Sequence, residues 1–383
     1  MTMDKKKIPF NRPFIVGKEL YYIAQAVLGG QLSGNGSYTR KCQEWLEQRL
    51  GCGKALLTHS CTGALEMAAI LCDIQPGDEI IMPSFTFVSS ANAFVLRGGV
   101  PVFVDIRCDT MNMNETLVEA AITSHTKVIL PVHYAGVGCM MEKLLPMAEN
   151  HGLIVIEDAA QSLLSQYRGR FLGTIGHLGC LSFHETKNII SGEGGALLIN
   201  DPRFEERAEI IWEKGTNRNQ YSRGAVDKYT WMDIGSSFLP GELVAAFLYA
   251  QLEAAEQIVR ARQRIFQRYV ERLRPLEEKG LLRLPMIADV SCCNGHIIYI
   301  ITRSPSERRQ LIEYLTERGI NAIFHYVPLH TSPAGRRFGR VAGEMAVTED
   351  FSARLIRLPI FFDMSDEQVD RVAAETESFF HRS

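Results

Sequence analysis

Short apolar runs alternate with amphipathic segments over the first half of the chain. The apolar runs have the length and composition of buried β-strands and cover residues 55–58, 79–82, 101–105, 127–132, 153–157, 179–183 and 196–199. Between most of them lie helical patterns, at residues 64–72, 114–122 and 142–151 among others. Strand, helix and strand in regular order predict one large α/β domain with a mostly parallel, seven-stranded sheet.

The pattern changes in the second half of the chain. Residues 206–274 are mainly helical in pattern, with a polar, loop-rich stretch at 215–241. A predicted helix at 242–257 precedes a strongly basic stretch, which contains Arg260, Arg262, Arg264 and Arg268. A nucleic-acid surface would explain these arginines, but a solvated helix face is the more common explanation.

A smaller α+β unit is predicted after Pro285. Its strands are expected at residues 296–302 and 322–325, and its helices at 306–318 and from Asp366 onwards. We therefore expect a large domain at residues 1–255, which includes the N-terminal segment, and a small C-terminal domain at residues 256–383.

The composition is that of an ordinary globular protein, with 383 residues, 46% of them hydrophobic and 22% charged. Its 41 basic and 44 acidic residues leave a formal net charge of −3. So small an imbalance argues against nucleic acid or a membrane surface as the main partner. We find no secretory signal and no apolar run of about 18 residues, so the cytosol is the expected compartment.

The nine cysteines include no Cys-x-x-Cys pair, and Cys292 and Cys293 are adjacent. This pattern predicts buried, reduced thiols and not a disulfide framework or a zinc site. His325 and His330 lack a carboxylate or thiol partner at metal-ligand spacing, so no metal site is expected.

A lysine and a glycine-rich turn follow the sixth apolar run. Lys187 ends the stretch 182–187 (SFHETK), and residues 192–195 (GEGG) lead into the next strand. A lysine in a desolvated site can form an imine with an aldehyde cofactor. Glycines let the backbone pass close to a bound group. For a lysine taken alone, a solvated surface position is the more common explanation.

Asp158 follows the apolar run 153–157, which places it at the carboxyl end of a strand, where open α/β sheets bind ligands. A carboxylate that faces a pyridine nitrogen keeps it protonated and makes pyridoxal phosphate (PLP) a better electron sink. Gln161 is a candidate donor to the ring hydroxyl. An equally good explanation for Asp158 is that it caps the next helix.

Two other predicted strands end in candidate ligand-binding residues. Residues 58–66 (THSCTGALE) pass from a strand into a helix, whose first backbone N–H groups can bind phosphate with help from the hydroxyls of Ser60 and Thr62. A plain helix cap is the more common explanation. Phe87, in the stretch 83–88 (PSFTFV), can stack on a planar cofactor, although core packing explains most phenylalanines.

All four elements fall at or just beyond the carboxyl ends of strands, so one cleft should contain them. Together they offer a phosphate cradle, a stacking ring, a partner for a pyridine nitrogen and an amine. These are the four parts that a PLP site needs.

The motifs resemble those of the DegT/DnrJ/StrS-type sugar aminotransferases, which have the PLP fold type I. The resemblance covers nearly the whole chain, from residues 8–10 to residues 357–359. The stretches that carry it are 75–79 (QPGDE), 83–88 (PSFTFV), 131–136 (PVHYAG), 157–161 (EDAAQ), 182–188 (SFHETKN), 213–218 (EKGTNR), 226–231 (VDKYTW) and 324–330 (FHYVPLH).

By this resemblance, Lys187 binds the aldehyde of pyridoxal 5'-phosphate, Asp158 pairs with its pyridine nitrogen and Gln161 contacts its ring oxygen. Phe87 stacks on the ring. The phosphate contacts that the resemblance implies are those of Thr62, Gly63 and Ser182. His330 matches a small-domain histidine that lines the substrate entrance, and Tyr326 is a further expected substrate contact.

The resemblance also implies a homodimer with the site between its subunits. Many relatives carry Gly-x-Asn where this chain has residues 235–237 (GSS). That asparagine reaches the phosphate of the partner subunit, so Ser237 is the expected replacement. The loop at 187–193 is one residue shorter than in similar sequences, which bears on the sugar pocket.

The implied reaction moves an amino group from L-glutamate to a nucleotide-linked 4-keto-6-deoxy sugar, with Lys187 as general base and acid. The expected acceptor is TDP-4-keto-6-deoxyglucose and the expected product is TDP-4-amino-4,6-dideoxygalactose. Such a sugar serves cell-surface polysaccharide synthesis, with the enterobacterial common antigen as the expected pathway.

Three alternatives stay open. The product could instead be the 4-amino-4,6-dideoxyglucose epimer. PLP-dependent sugar dehydratases share the fold but carry histidine at the position of Lys187. A non-enzymatic PLP-binding regulator would need a fused DNA-binding domain, and the predicted large domain begins within the first few dozen residues.

Overall fold

The computed structural model describes residues 7–287 and 290–381. The strands in this part are β1 (Lys54–Thr58), β2 (Glu79–Pro83), β3 (Val100–Val104), β4 (Thr126–Ile129), β5 (Ile154–Asp158), β6 (Gln166–Tyr167), β7 (Arg170–Phe171), β8 (Leu178–Ser182), β9 (Gly195–Ile199), β10 (Leu282–Arg283), β11 (Ser291–Cys292), β12 (Tyr299–Thr302), β13 (Arg340–Val341) and β14 (Leu355–Arg357). The α-helices are α1 (Glu19–Leu28), α2 (Ser37–Leu50), α3 (Cys61–Leu71), α4 (Val88–Val95), α5 (Val118–Ala121), α6 (Met141–His151), α7 (Glu205–Trp212), α8 (Arg218–Ser222), α9 (Glu242–Glu253), α10 (Ala255–Glu278), α11 (Pro305–Glu317), α12 (Pro333–Phe338), α13 (Ala346–Arg354) and α14 (Asp366–Phe380).

The main sheet has the order β1-β9-β8-β5-β4-β2-β3-β13, and β9 is its one antiparallel strand in the described part. All seven predicted strands are present. β4 ends at Ile129, three residues earlier than predicted, ahead of Pro131, which has no N–H to donate to a ladder. The eighth strand, β13, was not predicted because two residues are too short to show a periodic pattern.

The strands of the main sheet are apolar throughout because both faces are covered by helices. Leu56, Ile80 and Ile156 belong to the core beneath α3, α4 and α7. The neighbouring residues Leu57 and Ile81 belong to cores on the opposite face, beneath α2 and α9 and beneath α5 and α6 respectively. This alternation leaves the strand ends as the places where polar side chains can reach a ligand.

A second core joins α10, α11 and α14 to the antiparallel sheet β10-β12-β14. The prediction of a strand at residues 322–325 was wrong: within it, Ile323 alone pairs, in a bridge to Arg357. Beyond Ile323 the chain leaves the sheet, and Tyr326, three residues later, accepts a hydrogen bond from Gln161 in the turn after β5.

The basic stretch lies inside α10, and the predicted helix at 242–257 is divided by Ala254 between α9 and α10. The explanation as a solvated face fails for Arg262, which is buried and donates to the carbonyl oxygens of Gly295 and His296 at 3.2 and 2.9 Å. Arg268 forms ion pairs with Asp366 and Asp370.

Glu242 joins the start of α9 to the start of α2. It is buried at the start of α9 and accepts hydrogen bonds from the backbone N–H groups of Gly36, Tyr38 and Thr39. These donors belong to the first turn of α2, which has no side-chain cap of its own. A carboxylate at this position satisfies them and opposes the helix dipole.

All nine cysteines are free, but Cys108 and Cys292 are exposed, so the prediction that the thiols are buried was wrong for these two. Across the residues that the structure describes, no helix has the length and apolar character needed to cross a membrane. Within the same ranges, no group of His, Cys, Asp and Glu side chains is arranged to hold a metal ion.

Candidate active site

Asp158 is the last residue of β5 and is buried. Its Oδ2 accepts a hydrogen bond from the Ser90 hydroxyl at 2.7 Å, and its Oδ1 accepts one from the Ala160 N–H at 3.2 Å. Residues 159–165 form turns and no helix, so the interpretation of Asp158 as the cap of a following helix is wrong. The carboxylate lies at the carboxyl edge of the sheet, as predicted from its position after an apolar run.

Lys187 lies in the loop between β8 and β9. Burial lowers the pKa of its amine, and the positive charge of Arg357 acts in the same direction, whereas Cys61 and Asp158 raise it. The net effect is a pKa below the ordinary lysine value, although the residue as a whole stays half-buried. This environment differs from the solvated surface position that is usual for lysine.

The start of α3 combines a helix cap with free donors. Ser60 accepts a hydrogen bond from the Gly63 N–H at 3.0 Å and therefore caps the helix. The N–H groups of Cys61 and Thr62 occupy the first turn, where a helix supplies no carbonyl partner. The Thr62 hydroxyl donates to Ser89 at 2.8 Å. An anion can therefore bind at this helix start even though Ser60 already uses one N–H.

Gly195, the first residue of β9, lies directly against this helix start. A Cβ atom at Gly195 would clash with the backbone of Ser60 and Cys61. Gly63 is similarly close to the His59 ring, because a Cβ atom at Gly63 would lie 2.9 Å from the nearest ring atom. Gly195 thus brings two backbone segments together at the predicted phosphate cradle, and Gly63 leaves room there for the His59 ring.

Phe87 precedes α4 and is 57% exposed, so core packing is the wrong explanation for it. The buried aromatic residue of this stretch is Phe85. The ring centroid of Phe87 lies 6.5 Å from that of Tyr326, which comes from the C-terminal part of the chain. One face of an exposed ring at the strand edge is therefore available to a planar ligand.

Gln161 and Tyr326 are joined by a hydrogen bond of 3.1 Å from the Gln161 Nε2 to the Tyr326 hydroxyl. Gln161 Oε1 accepts from the Ala135 N–H at 2.7 Å, which fixes the orientation of the amide. The Tyr326 ring packs against His325, with the ring centroids 3.3 Å apart. Both predicted residues therefore belong to the same cluster.

Three predicted residues have other surroundings. Ser182 ends β8, and its hydroxyl accepts from the His184 N–H at 3.4 Å. The ring of His330 is held at both nitrogens, by Ser84 at 2.7 Å and Glu349 at 3.1 Å. Ser237 is exposed, and among the described residues no contact joins it to Lys187 or Asp158.

Sequence reasoning missed three residues beside the lysine: His296, His325 and Arg357. His296 is buried and bonded to Asn188, the residue after the lysine, at 3.0 Å. Burial lowers the pKa of His296 and of His325 well below the usual histidine range. Both histidines lie in the C-terminal part of the chain, far from Lys187 in sequence. The apolar pattern there gives no sign that they share a site with the lysine.

The cluster fits PLP. Asp158 offers a buried carboxylate, Lys187 a desolvated amine and Phe87 an exposed ring face. The start of α3, beside Gly195, offers N–H groups that have no carbonyl partner within the helix. These match the pyridine nitrogen, aldehyde, ring and phosphate of the cofactor in chemistry. Fold and site together define the class of the protein, a PLP-dependent enzyme built on a mostly parallel sheet.

Comparisons with known proteins identify the family. The model of the DegT/DnrJ/EryC1/StrS aminotransferase family matches residues 14–377. The chain is 31% identical over 374 residues to the spore coat polysaccharide biosynthesis protein SpsC of Bacillus subtilis (strain 168), with 95% of each chain covered. It is 30% identical over 379 residues to the GDP-perosamine synthase of Escherichia coli O157:H7, with 98% of this chain and 99% of that one covered.

Among solved structures, the PLP form of Spr1654 from Streptococcus pneumoniae matches with a TM-score of 0.90 at 25% identity, covering 98% of this chain and 99% of the other. The chain therefore belongs to the DegT/DnrJ/EryC1/StrS aminotransferase family. It is a PLP-dependent aminotransferase, and the predicted PLP fold type I is confirmed.

The close approach at Gly195 generates a prediction. Replacing Gly195 with Ala should push β9 away from the start of α3 and weaken PLP binding about 10-fold or more, the effect of overpacking by roughly 1–3 kcal/mol. Titration of the apo-enzyme with PLP measures the change. Gly241→Ala is the matched control, because φ is −69° there and the nearest atom to a Cβ is 3.5 Å away. Equal PLP affinity in the two variants would contradict the interpretation of Gly195 and the start of α3 as a phosphate cradle.

Proposed function

We propose that this enzyme transfers the amino group of L-glutamate to C4 of a nucleotide-linked 4-keto-6-deoxy sugar. The observation that carries the proposal is the desolvated amine of Lys187 in one cluster with the buried carboxylate of Asp158. A lysine at this position favours amino transfer over the dehydratase alternative. The names of two relatives, a GDP-perosamine synthase and a polysaccharide biosynthesis protein, support a nucleotide-sugar acceptor.

We further propose TDP-4-keto-6-deoxyglucose as the acceptor and TDP-4-amino-4,6-dideoxygalactose as the product. The support is the stretch 226–231 (VDKYTW), which lies outside the cofactor cluster. Trp231 is 81% exposed, and its indole N–H donates to the Asp233 carbonyl oxygen at 2.7 Å. PLP binding does not require an exposed tryptophan here, so a contact with the sugar nucleotide or with a second subunit explains it better.

The roles proposed for the site residues follow from their surroundings. PLP, when bound, supplies the electron sink for the exchange of an amino group and a carbonyl oxygen. Lys187 is desolvated and can carry a proton between the donor α-carbon and the cofactor. Asp158 provides the negative charge for the ring nitrogen and Gln161 a donor for the ring oxygen. Phe87 would cover the ring, and Thr62, Gly63 and Ser182 would hold the phosphate.

Gly63 contributes through its missing side chain, because its N–H already donates to Ser60. We propose that His330 lines the substrate entrance. Its ring has a fixed orientation, because both of its nitrogens have hydrogen-bond partners. Tyr326 is proposed to contact the substrate, since its hydroxyl accepts from Gln161 and keeps its own O–H to donate.

A homodimer is part of the proposal. Exposed apolar side chains concentrate on α1 and in the loop before α9, where they include Leu20, Leu28, Tyr229, Trp231 and Met232. Large exposed apolar side chains in such numbers support an interaction surface in this region. Ser237 lies in the same loop, and we propose that it contacts the phosphate in the partner subunit.

The first prediction from this proposal concerns Lys187. Lys187→Ala should remove the absorption band of covalently held PLP and lower turnover by at least ~100-fold, through loss of the attachment amine and of general acid–base catalysis. Lys143→Ala, on the exposed face of α6, is the control. If borohydride still fixes PLP to a single lysine of the Lys187→Ala protein, the assignment is wrong.

The second prediction concerns assembly. Light scattering at assay concentration should find a dimer, and specific activity should fall together with the dimer fraction on dilution. Constant specific activity in samples that are monomeric by light scattering would refute a site completed between subunits.

The third prediction concerns the acceptor. With L-glutamate, purified enzyme should aminate TDP-4-keto-6-deoxyglucose, and NMR of the product should give an axial amine at C4. UDP- and GDP-linked keto sugars are the comparison substrates. Amination of one of these but not of the TDP sugar would refute the acceptor and leave amino transfer intact. An equatorial amine would correct the product to the dideoxyglucose epimer.

A further inference from the structure

The Asp158 carboxylate is oriented by a serine of α4. Ser90 lies in the first turn of this helix and is buried. Its hydroxyl donates to Asp158 Oδ2 at 2.7 Å, whereas the Ala160 N–H donates to Oδ1 at the longer distance of 3.2 Å. Both oxygens of the carboxylate are therefore engaged, and the serine makes the shorter of these two hydrogen bonds.

The backbone of Asp158 is held independently of Ser90. Its N–H donates to the Pro131 carbonyl oxygen at 2.9 Å, and its carbonyl oxygen accepts from the His133 N–H at 3.1 Å. These two hydrogen bonds form a parallel bridge between the strand end and Val132. Main-chain hydrogen bonds thus fix the position of the residue. The Ser90 hydroxyl adds a fixed rotation of the carboxylate about its side-chain bonds.

A second hydroxyl sets the direction of the Ser90 hydroxyl. Thr86 is also buried, and its Oγ1 lies 2.8 Å from Ser90 Oγ. An ionised carboxylate only accepts hydrogen bonds, so the single hydroxyl hydrogen of Ser90 is directed to Asp158. The Ser90 oxygen then accepts from the Thr86 hydroxyl. The two hydroxyls form a chain of donors that point towards the carboxylate, and aligned hydrogen bonds of this kind polarise one another.

The same stretch of chain reaches other parts of the proposed cofactor cluster. Phe87 lies between the two hydroxyl residues in sequence and exposes its ring. Ser89, the neighbour of Ser90, accepts from the Thr62 hydroxyl at the start of α3 at 2.8 Å. Two adjacent serines therefore contact different groups, since Ser89 meets the predicted phosphate cradle and Ser90 meets the carboxylate. This difference makes Ser89 a matched control for Ser90.

We propose that Ser90 is a positioning residue that acts through Asp158 to keep the pyridine nitrogen of bound PLP protonated. The proposal rests on the role proposed for Asp158. Loss of the Ser90 hydroxyl frees Oδ2 to turn away and removes a hydrogen bond that stabilises the negative charge. Both changes disfavour a proton on the ring nitrogen, and the ring then withdraws electrons less strongly. Thr86 supports the same effect through Ser90.

NMR of the holoenzyme, loaded with PLP that carries an NMR-active nitrogen isotope in its ring, tests the effect on the cofactor itself. The wild type should show a protonated ring nitrogen at neutral pH, and Ser90→Ala should shift the signal towards the unprotonated form. Ser90→Thr, which keeps the hydroxyl, should retain the wild-type signal. Thr86→Val should give a smaller shift and should add nothing in the Ser90→Ala background, because it acts through that serine.

Cofactor binding to the apo-enzyme gives a second readout. Ser90→Ala should lower the affinity for PLP about 10-fold, the loss expected for a hydrogen bond to a charged group. The affinity for a PLP analogue with carbon in place of the ring nitrogen should fall less than about 2-fold, because this analogue has no ring proton for the carboxylate to hold. Ser89→Ala should change the affinity for both ligands by the same factor, since its partner Thr62 belongs to the start of α3.

Equal losses of affinity for PLP and for the carbon analogue in Ser90→Ala would overturn the proposal, as would an unchanged nitrogen signal in that variant. If Ser90→Ala does not fold, Thr86→Val decides by the same two measurements.

Asp158→Asn separates a failure of this proposal from a failure of the role proposed for Asp158. A nitrogen signal that shifts in Asp158→Asn but not in Ser90→Ala refutes the role of Ser90 alone. A signal that shifts in neither variant refutes both roles. Neither measurement uses an amino donor or a sugar, so a wrong acceptor leaves both tests valid.

Discussion

The buried carboxylate of Glu157 fixes the strand end on which the site is built. It accepts hydrogen bonds from His133 Nε2 at 2.8 Å and from the N–H groups of Gly173 and Gly176 at 2.9 and 2.6 Å. Burial alone would raise the pKa of Glu157, but these bonds lower it below the ordinary value. Because side chains alternate along a strand, a fixed Glu157 directs the next residue, Asp158, to the opposite face.

The lysine loop is held by a second polar network. Asn188 donates to the carbonyl oxygen of Asn294 at 2.9 Å and shares a hydrogen bond of 3.0 Å with His296 through its Oδ1. Asn294 in turn donates to the carbonyl oxygen of Gln161 at 3.0 Å. The residue after Lys187 is therefore connected through the C-terminal part to the turn after Asp158. Buried hydrogen bonds therefore position both the strand end at Asp158 and the loop that contains Lys187.

The sequence predicts the main sheet well because each predicted strand is a continuous apolar run. The residues that bound a run are its neighbours in sequence, so the ends of the strands can be predicted too. Asp158, Lys187 and Phe87 could be found for the same reason, since each follows such a run. Arg357 and His325 could not, because the chain must fold back over more than a hundred residues before they meet the lysine loop. The motif at residues 58–66 fits both a helix cap and a phosphate cradle. The sequence alone therefore could not show that the Ser60 hydroxyl accepts the Gly63 N–H.

The charges of the cluster are arranged so that two needs are met at once. A lysine can attach an aldehyde only as the neutral amine, and burial together with Arg357 favours that form, against the opposing effects of Cys61 and Asp158. If the Asp158 carboxylate acted alone, it would favour the ammonium. Arg357 offsets that effect, because its positive charge lowers the pKa of Lys187. At the start of α3, the first N–H groups and the helix dipole can compensate negative charge without a buried cation.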